Sequence, residues 1–464
     1  MDHNILVLKF GGTSVKDISA MRKAAELSLS HDFDQVLVVS SAVSGVTNKL
    51  LSIAEQLKNG KYSIEQEVQE IFDLHLAMGR ELQYADEGLK QLSGLLDDLK
   101  KHIEKVIDSK TMSPAQYAKF PAFGELLSTT LLTHVIREKE KSAEWFDVRT
   151  VMKTDNQFLK AQPNFELIEK KTSEVLLPLL KEKGIIITQG FLGSTVKNKT
   201  TLLGRGGSDY SASILGAALM AAQIEIWTDV DGLMTTDPRI EPQARTISDI
   251  TYEEASELAY FGAKVLHPFT LLPSRMKGIP VLIRNTKNSS HPGTRIHVRV
   301  EDDQYKGAKA IAFKKNITTI NIVSSRMLMA YGFLHKVFKI FADHKTAVDL
   351  VATSEVSISM TIDDNSNIEA ICNDLREIGK VSIKEGQAII SIVGTGIRNL
   401  SGTAAKVFSA IRDININMIS QGSNQTNLSF IINSENVDKA VQRLHKDLIE
   451  LNPEFNKQDS VLCV

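Results

Sequence analysis

The chain has 464 residues, more than one hydrophobic core usually organises, so we expect two or three domains. Its 42% hydrophobic residues and net charge of −2 are typical of a globular protein and indicate neither a nucleic-acid nor a membrane partner. The two cysteines, Cys372 and Cys463, make no disulfide framework and no zinc-ligand spacing. An apolar run begins within a few residues of Met1 and leaves no room for a signal peptide, so we expect a cytoplasmic protein.

The first predicted element is a strand, "ILVLKF", which ends at Lys9 and Phe10 and is followed by Gly11 and Gly12. The carboxyl end of such a strand is where α/β sheets present ligands. Two glycines allow backbone N–H groups to approach a phosphate closely, and a lysine supplies a positive charge. A tight turn with a solvent-directed lysine explains this motif equally well. A Walker A loop is excluded, since the chain contains no GxxxxGK[ST] sequence.

Four further apolar runs follow, "QVLVVSSA", "GIIITQGF", "IEIWTDV" and "IPVLIRNT", with helical stretches between them. Continuous apolar runs predict buried parallel strands, and therefore a three-layer α/β/α fold with helices on both faces. Between Ser63 and Ile107, leucine and isoleucine recur at helical spacing, which predicts a helical insert at about residues 60–112.

Two polar clusters follow in chain order. In "FGELLS", Glu125 is predicted to begin a helix, where a glutamate usually interacts with the helix dipole. In "LLGRGGSDYSA", Arg205, Ser208 and Asp209 are predicted to precede an alanine-rich helix, an arrangement suited to binding an anion. Asp209 either caps this helix or orients Lys9.

The segment "WTDVDGLMTTDPR" contains Thr228, Asp229 and Arg239 after a predicted strand. By itself it is compatible with a turn or a loose calcium loop, but it lacks the DxDxDG order and the final glutamate of an EF-hand. The histidines show no HExxH spacing. Metalloprotease chemistry therefore has no support, and we assign no metal ligand to the chain.

After Asn285 the polar stretch "NTKNSSHPGTRI" predicts a loop before a domain boundary. Beyond it an internal repeat begins, in which Lys336 and Lys406 each start a Lys-Val-Phe triplet. Each copy has the predicted order strand, helix, strand, strand, helix, which indicates two ferredoxin-like α+β modules. The predicted domains are residues 1–300, 301–386 and 387–464.

Taken in order, the motifs "KFGGTSV", "SSAVSGVTNKL", "FGELLS", "QGF", "GRGGSDYSA", "WTDVDGLMTTDPR" and "FGAKVLHP", followed by tandem small modules, resemble aspartate kinases of the amino acid kinase family. The resemblance covers essentially the whole chain, and its last part is similar to ACT modules. It implies transfer of the γ-phosphoryl group of ATP to the β-carboxylate of L-aspartate, the first step of lysine, threonine and methionine biosynthesis. In such reactions positioning and charge stabilisation carry the catalysis.

The resemblance also implies roles for individual residues. Lys9 and Asp209 would be catalytic, with Asp209 holding the lysine. Arg205 would match the α-carboxylate of aspartate and Glu125 its ammonium group, so that the aspartate contacts are Ser41, Thr47, Glu125, Phe191, Arg205 and Ser208. The nucleotide contacts would be Lys9, Gly11, Gly12, Thr228, Asp229, Met234, Arg239 and Lys264. Magnesium would be held chiefly by the ATP phosphates and water, with no redox cofactor present.

The stretches "RMLMAYGFLHKVF" and "AVDLVATSEVS" resemble the effector-binding region of monofunctional, lysine-sensitive relatives. The implied effector contacts are Met327, Phe333, Leu334, Val348, Asp349, Ser354 and Glu355. Asp349 and Glu355 flank an apolar strand and would attract ammonium groups, which suits lysine as the allosteric amino acid. For Phe333 and Leu334, packing in a core is an equally good explanation.

ACT modules commonly pair through sheet edges, so we expect a homodimer through these modules, with a tetramer as the alternative. Two other functions stay open from the sequence. One is a different amino acid kinase acting on acetylglutamate or glutamate; the other is an amino-acid sensor whose kinase half is inactive. Glu125 and the paired modules speak against the first, and the retained lysine, arginine and two acidic positions speak against the second.

Overall fold

The computed structural model describes residues 4–83, 85–204, 206–262, 268–298, 307–327, 331–422 and 426–451. The chain forms two compact units, the first comprising Met1–Leu233, Ser248–Tyr252 and Val265–Arg299, and the second Met234–Ile247, Glu253–Lys264 and Val300–Val464. Within the described ranges, every helix is too short or too polar to cross a membrane.

The first unit contains eleven described strands: β1 Ile5–Phe10, β2 Gln35–Ser40, β3 Glu144–Phe146, β4 Lys153–Thr154, β5 Ile185–Gln189, β6 Leu192–Thr195, β7 Thr200–Leu202, β8 Gln223–Thr228, β9 Asp249–Thr251, β10 Val281–Asn285 and β11 Thr294–His297. Eight of them form one sheet in the order β3-β5-β2-β1-β8-β10-β11-β9, and β4, β6 and β7 form a second, small sheet.

The five apolar runs of the sequence are the centre of the large sheet. β1 pairs in parallel with both β2 and β8, β2 pairs in parallel with β5, and β8 pairs in parallel with β10. Because their carboxyl ends lie at one edge of the sheet, the polar residues that follow these strands are brought to the same edge. The predicted parallel sheet is confirmed.

The described helices of this unit are α1 Ile18–Leu29, α2 Val46–Lys58, α3 Glu65–Arg80, α4 Ala85–Ser109, α5 Pro114–Tyr117, α6 Lys119–Arg137, α7 Phe165–Lys171, α8 Leu177–Lys183, α9 Gly207–Leu219 and α11 Leu272–Met276, while α10, Tyr252–Phe261, runs from this unit into the second. α9 packs on the sheet face that carries Val7 and Ile224, since a Cβ at Gly216 would touch both side chains. α1 lies on the opposite face, where its Leu27 lines a cavity together with Trp227. The sheet is therefore covered on both faces, as predicted.

Two predicted helix starts were wrong. α6 begins at Lys119, directly after the capping box of Ser113 and Gln116 that opens α5, so Glu125 lies in the second turn and not in the first. α9 begins at Gly207 after the left-handed Gly206, so Ser208 and Asp209 lie inside its first turn, and no side chain caps the helix.

The second unit is built on a six-stranded sheet. Its strands are β12 Ala310–Val323, β13 Val351–Thr353, β14 Ser357–Ile362, β15 Lys380–Val393, β16 Met418–Ser420 and β17 Asn427–Asn433, in the order β13-β14-β12-β15-β17-β16. The helices between them are α12 Phe333–Asp343, α13 Ile368–Arg376, α14 Thr403–Ala410 and α15 Val437–His445. The element order reproduces the predicted repeat, and all described pairings are antiparallel.

β12 and β15 serve both copies of the repeat. The second half of β12, with Ile320 and Ile322, packs in a core with α12 and α13, whereas Ile311 in its first half packs in a separate core with Ile390 and Ile392 of β15. The register of the two strands shifts between Lys314 and Thr319, where one core gives way to the other. The domain boundaries at residues 300 and 386 stay a prediction.

Candidate active site

Lys9 and Asp209 form an ion pair at the carboxyl edge of the large sheet. Lys9 Nζ lies 2.6 Å from Asp209 Oδ1, and only 11% and 14% of the two side chains are exposed. Lys9 points to the same face as Val7 because side chains alternate along a strand, and α9 covers that face. The helix start therefore carries its carboxylate to the lysine.

The two glycines after β1 bring backbone close to this pair. A Cβ at Gly11 would lie 3.5 Å from Lys9 Nζ, and a Cβ at Gly12 would lie 2.9 Å from the carbonyl oxygen of Ala42 and 3.4 Å from Ser44 Cα. Gly12 thus allows the loops after β1 and β2 to approach more closely than any side chain would permit. The ammonium group of Lys9 sits beside Gly11, whose N–H donates a 3.4 Å hydrogen bond to the carbonyl oxygen of Trp227.

The loop after β2 also contacts the start of α9. Ser41 Oγ donates a hydrogen bond of 3.0 Å to Ser208 Oγ. Gly190 permits this arrangement, since a Cβ there would lie 2.6 Å from Ser208 Cβ. Two predicted aspartate contacts are therefore brought together next to the Lys9–Asp209 pair.

Phe191 has a left-handed backbone, with φ of +68°. Its N–H donates to Ser211 Oγ at 2.9 Å, and its ring lies against Gly207, where an added Cβ would be 2.5 Å from Phe191 Cδ2. A bulky residue with positive φ is strained, and such strain clusters at functional sites. The surrounding contacts of α9 hold Phe191 in this conformation.

Glu125 is a fully buried carboxyl group on α6, with 3% of the residue exposed. Burial raises its pKa to about 8, against the opposing effect of backbone hydrogen bonds from its own N–H and that of Ala42. Among the described residues, its Oε2 has no hydrogen-bond partner. An orphan buried oxygen next to the β2 loop is suited to receive a cationic group.

Hydrogen bonds join the ends of β8 and β10 to the loop after β1. Thr286 donates through its N–H and through Oγ1 to the Thr228 carbonyl, and Ser14 Oγ lies 2.6 Å from Thr286 Oγ1. Thr228 Oγ1 donates to Asp229 Oδ1 at 3.3 Å. Asp229 is exposed at the edge of the sheet.

The contacts described above do not include the other predicted residues. Thr47 lies half-buried in the first turn of α2, and Arg205 and Lys264 lie outside the described residues. Met234 and Arg239 belong to the second unit. There, Met234 accepts a 3.6 Å contact from Thr246 Oγ1, and exposed Arg239 forms a two-pronged pair with Asp237 that lowers the pKa of the Asp237 carboxyl.

Sequence reasoning missed Ser14, Thr286 and the N–H group of Ala42. Ser14 and Thr286 are polar residues directly after predicted strands, and that signal alone could have suggested both. Nothing in the side chain of Ala42 indicates that its backbone would bind Glu125.

A cavity of about 410 Å³ elsewhere in the first unit contains none of the predicted site residues. It is lined by Lys23, Glu26, Leu27, Ser30, His31, Trp227, Arg284 and Ser289. The candidate active site is defined by the convergence of charged side chains and glycine backbone, and not by this cavity.

Comparisons with known proteins identify the family. A profile described as the amino acid kinase family matches residues 4–285, and a profile of ACT domains matches residues 320–372 and 390–448. The lysine-sensitive aspartokinase 3 of Escherichia coli is 38% identical over 96% of this chain and 99% of its own length. Aspartokinase 2 of Arabidopsis thaliana, a chloroplastic relative, is 36% identical over 96% of this chain and 85% of its own length. The chain belongs to the amino acid kinase family and, within it, to the aspartokinases.

Solved structures agree with this assignment. Escherichia coli aspartokinase III in complex with aspartate and ADP matches with a TM-score of 0.82 and 38% identity, covering 96% of this chain and 99% of that chain. The same enzyme in complex with lysine and aspartate matches with a TM-score of 0.80 over the same shares. The aspartate kinase of Clostridium acetobutylicum, at 27% identity, also reaches 0.82.

In this aspartokinase three of the predicted effector residues contact the core that α12 and α13 form with the second half of β12. Phe333 belongs to that core, and Met327 and Val348 pack against it. Leu334 is 43% exposed, and Ser354 and Glu355 are exposed as well. Packing in a core, the alternative to effector binding, therefore explains Phe333 but not Leu334.

Asp349 is the buried member of this group. Only 3% of its side chain is exposed, and Lys314 Nζ lies 3.0 Å from Asp349 Oδ1. Glu355 is exposed, so the two acidic residues differ in environment. The carboxylate of Asp349 is already paired within the aspartokinase chain.

Proposed function

We propose that this aspartokinase transfers the γ-phosphoryl group of ATP to the β-carboxylate of L-aspartate and so forms 4-phospho-L-aspartate. The observation that supports this proposal is that the Lys9–Asp209 pair, the glycine backbone at Gly11 and Gly12 and the buried carboxyl of Glu125 all lie against the loops after β1 and β2. A related Escherichia coli aspartokinase of the same fold holds aspartate and ADP.

Lys9 stabilises the transferring phosphoryl group. Phosphoryl transfer needs positive charge and hydrogen-bond donors around oxygens that gain charge in the transition state. Lys9 Nζ supplies the charge, and the backbone of the loop after β1 supplies amide donors, with no side chain at Gly11 to separate it from the ammonium group. Asp209 holds the lysine in place through their 2.6 Å contact.

Glu125 and Arg205 recognise the two charged ends of aspartate. The unpartnered Oε2 of Glu125 accepts a hydrogen bond from the ammonium group. This bond removes the free-energy cost of a buried oxygen without a hydrogen-bond partner. Arg205 grips the α-carboxylate in two places, a geometry that guanidinium favours. Ser41, Thr47, Phe191 and Ser208 complete the pocket around the substrate.

Thr228, Asp229, Met234, Arg239 and Lys264 contact the nucleotide. Magnesium accompanies ATP and is held chiefly by phosphate oxygens and water, because Mg²⁺ gives up its water reluctantly. The chemistry of the described site fits this proposal: Asp209 is occupied by Lys9, and burial favours the protonated form of Glu125.

Residues 301–386 and 387–464 form the regulatory ACT modules of a homodimer, and lysine binds to the first module as a feedback inhibitor. Support comes from the buried Asp349, which is suited to an ammonium group, and from the Escherichia coli relative solved with lysine and aspartate. The effector pocket comprises Met327, Phe333, Leu334, Val348, Asp349, Ser354 and Glu355.

One experiment separates this function from its alternatives. The purified chain is incubated with MgATP, hydroxylamine and one acceptor at a time, namely L-aspartate, L-glutamate or N-acetyl-L-glutamate, and the acyl hydroxamate is measured. We expect product with aspartate alone. Product with glutamate or acetylglutamate instead would assign another acceptor, and lysine binding without any product would support a sensor with an inactive kinase half.

A further inference from the structure

The carboxylate of Asp349 is held by one oxygen and left free at the other. Asp349 Oδ1 accepts hydrogen bonds from Tyr260 Oη at 2.7 Å and from Lys314 Nζ at 3.0 Å. Asp349 Oδ2 is buried and has no hydrogen-bond partner among the residues that the structure describes. Buried polar atoms are nearly always paired, so this oxygen calls for a partner that the chain does not supply.

The charges around Asp349 leave a negative excess. Lys314 Nζ also lies 2.6 Å from Asp363 Oδ2, so one ammonium group serves two carboxylates. Burial lowers the pKa of Lys314, but its hydrogen bonds to Asp363 and Asp349 outweigh that effect and raise it, so the ammonium stays charged. A ligand that brings a second cation to Asp349 Oδ2 would balance the cluster.

We propose that Tyr260 is a positioning residue of the effector site, which, together with Lys314, holds Asp349 Oδ1 and thereby aims Oδ2 at an ammonium group of the bound amino acid. Lys314 lies 5.1 Å from the centre of the Tyr260 ring, so the ring and the ammonium support each other. This inference rests on the proposed function, because it assumes that an amino acid regulates the kinase through this pocket.

Tyr260 also connects the pocket to the end of helix α10. It lies in the last turn of α10, and two residues later a Cβ at Gly262 would be 2.4 Å from the carbonyl oxygen of Phe313, the neighbour of Lys314. The end of α10 is thus fixed to β12 at two adjacent points. The proposed nucleotide residue Lys264 is two positions after Gly262 in the sequence.

The substitution Tyr260→Phe tests the proposal, since it keeps the ring over Lys314 and removes only the hydroxyl group. We expect the dissociation constant of L-lysine, measured by calorimetry on the full chain, to rise about tenfold, because the variant loses one hydrogen bond to a charged group. The concentration of lysine for half-inhibition should rise by the same factor, while turnover without lysine is retained. Tyr62→Phe, at a half-exposed tyrosine of the first unit, is the matched control and should change neither value.

Two analogues of lysine show whether the effect acts through an ammonium group. L-norleucine lacks the side-chain ammonium, and 6-aminohexanoate lacks the α-ammonium. Tyr260→Phe should weaken the binding of lysine and of the analogue that keeps the ammonium group facing Asp349. The binding of the analogue that lacks this ammonium group should not change. An equal loss for all three ligands would mean a general disturbance of the pocket and would overturn the proposal.

Failure of this inference can be told apart from failure of the proposed function. If the unaltered chain phosphorylates aspartate and is inhibited by lysine, but Tyr260→Phe binds lysine as tightly as before, only the role of Tyr260 is wrong. If the unaltered chain neither phosphorylates aspartate nor binds lysine, the proposed function itself is wrong.

Discussion

At the scale of single residues, the contact between Lys9 and Asp209 costs the protein desolvation of two charges. Both side chains are largely buried, and such a pair gains little net stability over an apolar pair of similar size. Catalysis therefore explains the presence of the Lys9–Asp209 pair better than stability does, because a fixed positive charge acts strongly in surroundings with little water.

Replacing Lys9 with alanine should lower the rate of aspartyl hydroxamate formation by about 10³-fold, because one charge that stabilises the transferring phosphoryl group is lost. Circular dichroism should still show a folded protein. Lys16→Ala, at an exposed lysine seven residues further along the chain, serves as the control and should keep its activity. Near-normal turnover of the Lys9 variant would contradict the proposed role.

In its proposed role, Glu125 makes aspartate binding depend on pH. The pKa of its carboxyl is about 8 instead of its ordinary 4.5, so the substrate-free enzyme holds this proton at neutral pH. The ammonium group of aspartate favours the ionised form, so binding releases the proton. We expect the affinity for aspartate to rise by up to about tenfold per pH unit between pH 6 and 8, and then to level off.

The control for this prediction is Glu125→Gln, which cannot ionise. Its aspartate KM should be higher and should vary much less between pH 6 and 8. Calorimetry in buffers of different ionisation enthalpy should detect proton release with the unaltered enzyme only. Equal pH profiles for both proteins would contradict the raised pKa of Glu125 as the cause.

The same carboxyl affects folding with a definite sign. The pKa of Glu125 is raised in the folded protein. Between pH 4.5 and 8 the folded state therefore holds a proton that the unfolded state has already released. Its contribution to stability is therefore full below pH 4.5 and is lost as the pH rises through 8. Thermal unfolding of Glu125→Gln without substrate should lack this part of the pH dependence.

At the scale of elements, the start of α9 depends on close contact with the loop after β5. A Cβ at Gly207 would lie 3.2 Å from Phe191 Cα and 2.5 Å from its ring, so this helix start can approach Phe191 only without a side chain. The same first turn carries Ser208 and Asp209. The packing of this element therefore sets the geometry of the site.

Gly207→Ala should consequently reduce activity by about 10²-fold, because a shift of about 1 Å misplaces catalytic groups. It should also lower the free energy of unfolding by about 1–3 kcal/mol through overpacking. Gly94→Ala is the matched control: it lies inside α4 with nothing within 4 Å of the added Cβ, and should stabilise the protein by about 0.5–1 kcal/mol. Similar activity in both variants would contradict the role of this contact.

At the scale of the whole molecule, the second unit ends in sheet edges that invite pairing. β13 and β16 form the two edges of its sheet, and β16 carries Ile419, which is 48% exposed. Leu334 and Phe338 on α12 are also more than a third exposed. Exposed apolar groups on an edge strand and on the surface of a helix are typical of surfaces that associate.

We therefore expect sedimentation of the full chain to give twice the chain mass of 51.3 kDa at micromolar concentration. A mass of four chains would select the tetramer, and a single-chain mass at all concentrations would contradict association through the ACT modules. Ile419→Lys and Phe338→Lys, measured separately, distinguish the edge of β16 from the surface of α12, since a buried charge would weaken only the interface that contains it.

Much of the fold was predictable because it depends on local patterns. The five central strands follow from continuous apolar runs, and the two modules follow from the repeated order of elements around Lys336 and Lys406. The start of α6 was not predictable from Glu125 and its neighbours, since the helix continues from a capping box upstream. The division of β12 between two cores also depends on which distant strands pair with each half.

For the candidate site, the sequence predicted which residues to consider but not which other residues they contact. Order and spacing of motifs identified the family, and the resemblance selected Lys9, Glu125 and Asp209 as the proposed site residues. Only the tertiary structure decided that Asp209 pairs with Lys9 and does not cap its helix, that Glu125 is buried with an elevated pKa, and that Asp349 is bound by Tyr260. Local sequence determines propensity and chemistry, whereas burial and pairing arise only when distant segments pack together.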